Sequence, residues 1–73
     1  MIEYTVIYEC GDKNWSAYVP DLPGCVACGD TLQETEELIK EAIELYLEVL
    51  KENRKPIPKP STIVGKVAVN IER

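Results

Sequence analysis

The chain begins by alternating. Ile2, Tyr4, Val6 and Tyr8 fall on one side of an extended backbone, and Glu3, Thr5, Ile7 and Glu9 on the other, which predicts a half-buried strand. Gly11-Asp12-Lys13-Asn14 reads as a turn, and the alternation resumes beyond it, with Trp15, Ala17 and Val19 on one face and Ser16 and Tyr18 on the other. Two such runs around a turn predict a hairpin. From Leu32 the period changes to that of a helix. Leu32, Thr35, Ile39, Ala42, Ile43, Tyr46 and Leu50 share a face, flanked by Leu38, Leu45 and Val49 on one side and by Leu47 on the other. A helix from about Leu32 to about Glu52 follows, with Asn53 just past its end and Pro56 barring its continuation. Its apolar arc spans roughly 200°, well beyond the ~100° needed to dock on one sheet. A further covering element is therefore expected: the C-terminal segment, a second subunit or a partner.

Hairpin and helix are joined by dense punctuation, Val19-Pro20-Asp21-Leu22-Pro23-Gly24-Cys25-Val26-Ala27-Cys28-Gly29-Asp30-Thr31. Pro20 and Pro23 remove two backbone donors, so no ladder continues through them. Asp21 suits a turn in which its carboxylate bonds the backbone two residues on. Gly24 permits the positive φ of a reversal. Val26 to Cys28 form a short third strand, broken by Gly29-Asp30. Thr31 with Glu34 is a capping box, the hydroxyl covering an early helix N–H and the glutamate reaching back to the amide of Thr31.

After the helix, Lys55-Pro56-Ile57-Pro58-Lys59-Pro60 reads as a stiff, extended connector. Its prolines fall every second residue, unlike the P-x-x-P of adaptor ligands. Ile63 and Val64 lead to a last strand with Val67, Val69 and Ile71 toward the core and Lys66, Ala68, Asn70 and Glu72 outward. The order β-β-β-α-β, with a right-handed crossover through the helix, predicts a single α+β domain, residues 1–73, in which one helix packs on a four-stranded sheet.

Composition narrows the functional classes. Seventy-three residues hold one small core, so oligomerisation or a partner is expected. A net charge of −5 argues against direct nucleic-acid binding and favours a basic partner. Three cysteines cannot all pair within one chain, and the N-terminus does not resemble a secretory leader; free thiols in a reducing cytoplasm are expected. No apolar run approaches the ~20 residues of a membrane span.

Candidate chemistry is sparse. Cys25-Val26-Ala27-Cys28 has C-x-x-C spacing, but no histidine and no second pair complete a zinc site. Three residues separate Cys28 from the helix, so no dipole lowers a thiol pKa as a redox pair requires. Buried, structural cysteines are the reading, on opposite faces of the strand. Glu3, Glu9, Asp12, Asp21 and Asp30 could in principle hold a metal, yet Asp21 and Asp30 are explained by the turn and the helix start, and the last strand's outer face adds only Glu72. No catalytic residue, metal or cofactor is expected. The helix is more informative. Glu34, Glu37, Glu41, Glu44, Glu48 and Glu52 share its polar arc, and the pairs 37/41, 44/48 and 48/52 repel by a few tenths of a kcal/mol each, roughly. Lys40 and Lys51 relieve part of this. A solvated face and a binding surface for a basic protein are both open readings. Trp15 and Tyr18 read as core or sheet-face residues before interface anchors.

Val19-Pro20-Asp21-Leu22-Pro23-Gly24-Cys25, Gly29-Asp30-Thr31 with Glu34, Ala42-Ile43 and Tyr46-Leu47 in the helix, then Ile57-Pro58 and Pro60-Ser61, together resemble the HicB antitoxin N-terminal domain over nearly the whole chain. The resemblance implies a partial ribonuclease-H-like arrangement, β-β-β-α-β, without the nuclease's carboxylate set. It also implies binding to HicA, a small basic mRNA-cleaving toxin with an essential histidine. Two departures stand out. Thr35 occupies a position where alanine is common, and the chain stops at Arg73 without the C-terminal DNA-binding module of many members, so autorepression by this chain alone is not expected. The expectation is a cytoplasmic antitoxin-like protein that masks a HicA-type toxin, with Glu37, Glu41, Glu44 and Glu48 as the contact residues, and that also self-associates. The alternatives are an orphan homo-oligomeric scaffold and a weak metal-dependent nuclease on the same scaffold.

Overall fold

The computed structural model describes residues 1–72, and Arg73 lies outside the described residues. Among them are three strands, β1 (Ile7–Cys10), β2 (Trp15–Tyr18) and β3 (Val26–Gly29), followed by one helix, α1 (Leu32–Glu52). The sheet is antiparallel throughout, in the order β1-β2-β3. Tyr8, Ala17 and Ala27 lie opposite one another across it and pack toward the core, whereas the neighbouring row of Ile7, Tyr18 and Val26 lies on the other face. The architecture is α+β, with the helix over β2 and β3.

The core is small. Leu22 and Ile39 are its largest fully buried apolar side chains, joined by Ala17, Val19 and Cys25 and by the half-buried Tyr4, Val6, Ala42, Ile43, Tyr46 and Leu47. Leu22 owes its position to the reversal around it. Its amide donates to the Val19 carbonyl (3.0 Å), the Cys25 amide donates to the Leu22 carbonyl (3.0 Å), and the Val19 amide closes the loop on the Cys25 carbonyl (3.1 Å). Gly24 sits at φ 82°, following Pro23 as the third residue of a turn that needs a positive angle there.

The helix starts and stops for local reasons. Thr31 Oγ1 accepts from the Glu34 amide at 3.0 Å. The Glu34 carboxylate reaches one residue further than the capping-box expectation and accepts from the amide of Asp30, not that of Thr31, at 2.9 Å. Thr35, fully buried, is satisfied by donating its hydroxyl to the Thr31 carbonyl at 2.8 Å. It packs so closely on β3 that a Cβ at Gly29 would stand 2.7 Å from its Oγ1. At the other end Asn53 caps the helix and Arg54 takes the left-handed conformation at φ 55°. The Arg54 amide then reaches the Lys51 carbonyl (3.1 Å) and the Lys55 amide the Leu50 carbonyl (2.8 Å), the paired bonds of a Schellman ending.

Three expectations need correction. The first strand begins at Ile7 rather than Ile2. Its ladder stops at Ile7–Tyr18 because the partner chain turns away into Val19-Pro20, where proline offers no N–H, and Ile2 is exposed. Tyr4 and Val6 still pack on the core, as their alternation implied. Asp21 bonds no backbone two residues on; its carboxylate spans forty positions to Ser61 and Thr62. Finally, the fourth strand is not in the sheet. Residues 63–72 form no strand, and Val67, Val69 and Ile71 face solvent rather than the core. The side of the body near the N-terminus is occupied by the connector, where the Tyr4 hydroxyl donates to the Pro58 carbonyl and the Thr5 hydroxyl to the Thr62 carbonyl (3.1 Å). Beyond Thr62 the chain has left the body, and the element order implied by the resemblance is complete only as far as the helix.

Candidate interaction surface

At ~100° per residue, Glu34, Glu37, Glu41, Glu44, Glu48 and Glu52 occupy about 80° of the helix circumference. All six are exposed, including Glu37, Glu41, Glu44 and Glu48. The helix thus presents one continuous acid row. Glu36 lies on the opposite flank, where its charge adds to burial, the larger cause, in raising the pKa of the Tyr8 phenol above its ordinary value.

Next to the acid row runs an apolar stripe. Leu38, Leu45 and Val49 are exposed, Leu45 to 63 %. The stripe opens into a shallow groove of about 300 Å³, walled by Leu45, Tyr46 and Val49 of the helix and by Gly24, Cys25 and Val26 where the chain enters β3. This is the surplus arc that the hydrophobic pattern left without a partner, and the C-terminal segment of the same chain does not cover it. The combination matters chemically. Anions beside exposed leucine and valine suit a partner that carries cations around an apolar patch, since fields of opposite sign steer the encounter and desolvated apolar contact holds it.

A second constellation escaped the sequence. Asp21 Oδ1 accepts from the hydroxyls of Ser61 (3.0 Å) and Thr62 (2.9 Å), and Oδ2 from their amides at 3.1 and 3.2 Å. The Ser61 amide, with the Thr62 groups and the Ser61 hydroxyl, holds the Asp21 carboxyl below its ordinary pKa against an opposing push from burial. The Asp21 charge in turn adds to burial in raising the pKa of Tyr4. The only local signal was a Ser-Thr pair directly after a proline run, which reads as a turn unless the distant carboxylate is known.

The cysteines divide. Cys25 is buried, and desolvation raises its thiol pKa. Cys28 is exposed, like Cys10, so the expectation of two buried cysteines holds for one of them. Among the described residues no three histidine, cysteine or acidic side chains converge as a metal would require. No helix among them is long and apolar enough to cross a membrane. Trp15 is half-buried and Tyr18 exposed on the outer sheet face.

Comparison with known proteins gives a consistent result. The model of the HicB-like antitoxin of bacterial toxin-antitoxin systems matches residues 4–71. A UPF0150 protein of Synechocystis is 42% identical over 67 residues, 90% of this chain and 85% of the relative. A UPF0150 protein of Thermoplasma acidophilum is 42% identical over 80% of this chain and 86% of its own length. A protein of Photorhabdus laumondii named Antitoxin HicB 2 is 31% identical over 84% of this chain, which spans only 44% of that longer relative.

Proposed function

Because the chain belongs to the HicB-like antitoxin family of bacterial toxin-antitoxin systems, we infer that it neutralises a small, basic, HicA-type toxin by covering the toxin's RNA-binding face. The observation that supports this reading is the exposed acid row set beside the exposed Leu38, Leu45 and Val49. Neutralisation by masking requires no chemistry of the antitoxin. A toxin that binds mRNA must carry cations, and those cations are what the row of Glu37, Glu41, Glu44 and Glu48 would meet. The glutamates pull the toxin in, and the bulk of the antitoxin then excludes water and closes access to the toxin's histidine. The setting is the cytoplasm, where the toxin's substrate is found and where the exposed Cys10 and Cys28 stay reduced.

The test is the association rate with the cognate toxin. Reversing two charges, Glu44→Lys with Glu48→Lys, should slow association at least about tenfold at low salt and flatten its salt dependence, with helix content unchanged. An unaltered rate would remove the acid row from the mechanism.

A further inference from the structure

The C-terminal arm, residues 63–72, is apolar at alternate positions and bare. Ile63 is exposed to 91 %, Val67 to 87 % and Ile71 to 85 %. The arm lengthens the molecule to 54 Å against widths of 27 and 20 Å, and the radius of gyration is 15.0 Å. A compact chain of this length has about 11 Å. A strand with one apolar face, standing free in water, is a template for pairing. Among the described residues no hydrogen bond ties the arm down beyond Thr62, and Gly65 has open space around it. The body meanwhile carries an unfilled groove beside β3, a strand at the edge of the sheet.

We propose that the arm of one chain docks along the β3 edge of a second copy, with Val67, Val69 and Ile71 over its Leu45–Val49 groove, and that the exchange is reciprocal. The fourth strand that the alternation predicted would then be supplied by the other subunit. Pattern, charge and symmetry are all compatible with a second copy as the occupant. The alternation of Val67, Val69 and Ile71 with Lys66, Ala68, Asn70 and Glu72 fits a sheet edge that is covered by a helix on one face and open on the other. The arm is neutral, Lys66 offsetting Glu72, so it can lie beside a helix that carries seven glutamates against Lys40 and Lys51 without adding to their repulsion. Reciprocal exchange closes under a two-fold axis. It brings the arm, residues 63–72, and the groove around Leu45 and Val49 together on each side, and the two copies of the contact add up to an interface at the lower end of the standard size. The β3 edge is preferred to the other side of the sheet because the chain's own connector already occupies the region around Tyr4 and Thr5. A docked arm covers Leu45 and Val49, so in the dimer the toxin contact falls to the acid row and Leu38.

The experiment is sedimentation equilibrium of the full chain, alone and as two variants: Val69→Asp in the arm and Leu45→Asp in the groove. The native chain should be a dimer, and each variant should dissociate at least about 100-fold more readily with its circular dichroism unchanged, since each buries an unpaired carboxylate. Mixing the two variants decides the topology. In the mixed pair the native arm of the Leu45→Asp chain meets the native groove of the Val69→Asp chain, so one of the two docking contacts is intact and the mixture should dimerise more tightly than either variant alone. Should the mixture be as weak as the variants, the exchange is wrong. A native chain monomeric at all concentrations, or one whose arm gains amide protection only when toxin is added, would equally overturn the proposal. The toxin-association test above does not depend on either result.

Discussion

The body, residues 4–53, and the arm, residues 63–72, follow the same rule of alternating apolar and polar positions and meet opposite fates. In the body the apolar positions of the core have partners fixed by something nearby: a turn closed by backbone hydrogen bonds at Leu22, a cap at Thr31, a glycine that lets Thr35 approach. The arm has the pattern and no partner. Periodicity therefore determines which way side chains point on a chain, while punctuation determines whether the chain is delivered to a surface that can receive them.

The difference is sharpest in the response to truncating side chains. Leu22→Ala removes a fully buried side chain from a core with few others and should cost about 2–5 kcal/mol, most of the stability of a domain this size. Val69→Ala or Ile71→Ala should leave the stability of the isolated chain within about 0.5 kcal/mol. Urea unfolding at low protein concentration measures both, and a large loss from the arm variants would mean that the arm is part of one chain's core. A smaller effect is expected at Gly29→Ala, where the new Cβ would stand 2.7 Å from Thr35 Oγ1 and 3.1 Å from the Thr35 amide nitrogen. A loss of about 1–3 kcal/mol is expected, and Thr35→Ala in the same chain should return part of it, because the nearest of the atoms it meets is gone. Strict additivity of the two losses would place Thr35 elsewhere.

The boundary between the two regions offers the gentlest test. The Asp21 pKa is depressed in the folded chain, so its contribution is fully present above the ordinary carboxylate pKa and is lost as pH falls through the lower, folded value. Acidification below the ordinary carboxylate range should release Ser61 and Thr62 before the helix melts. Asp21→Ala should do the same at neutral pH, speeding exchange of those two amides on the order of tenfold or more with the core amides unchanged. Hydrogen exchange by NMR reads both, and amides equally protected with and without the carboxylate would show that the connector is held some other way.

Much of this was legible in the residues. The helix bounds, the cap at Thr31, the three-strand order and the reversal at Pro23-Gly24 follow from local chemistry, and the structure has them where the pattern places them. The acid row was legible for the same reason, since a helix converts spacing directly into azimuth. What failed had its cause far along the chain. The first strand is cut short because, continuing its register, Val6 would face Val19, whose amide is taken by the Cys25 carbonyl, and Thr5 would face Pro20, which has no N–H. The neighbours of Asp21 suggest a local turn bond, whereas its partners lie forty positions away. The alternation of the last residues predicts a fourth strand, but alternation alone does not supply the edge that would pair with it.

One carboxylate in a loop near the start of the chain sets where the last residues leave the body. Asp21 fixes Ser61 and Thr62, so the direction of departure is decided upstream of everything that follows. The tail is in that sense a detachable module: its length and composition can vary, or a different module can be fused after residue 62, without refitting the packed half of the protein.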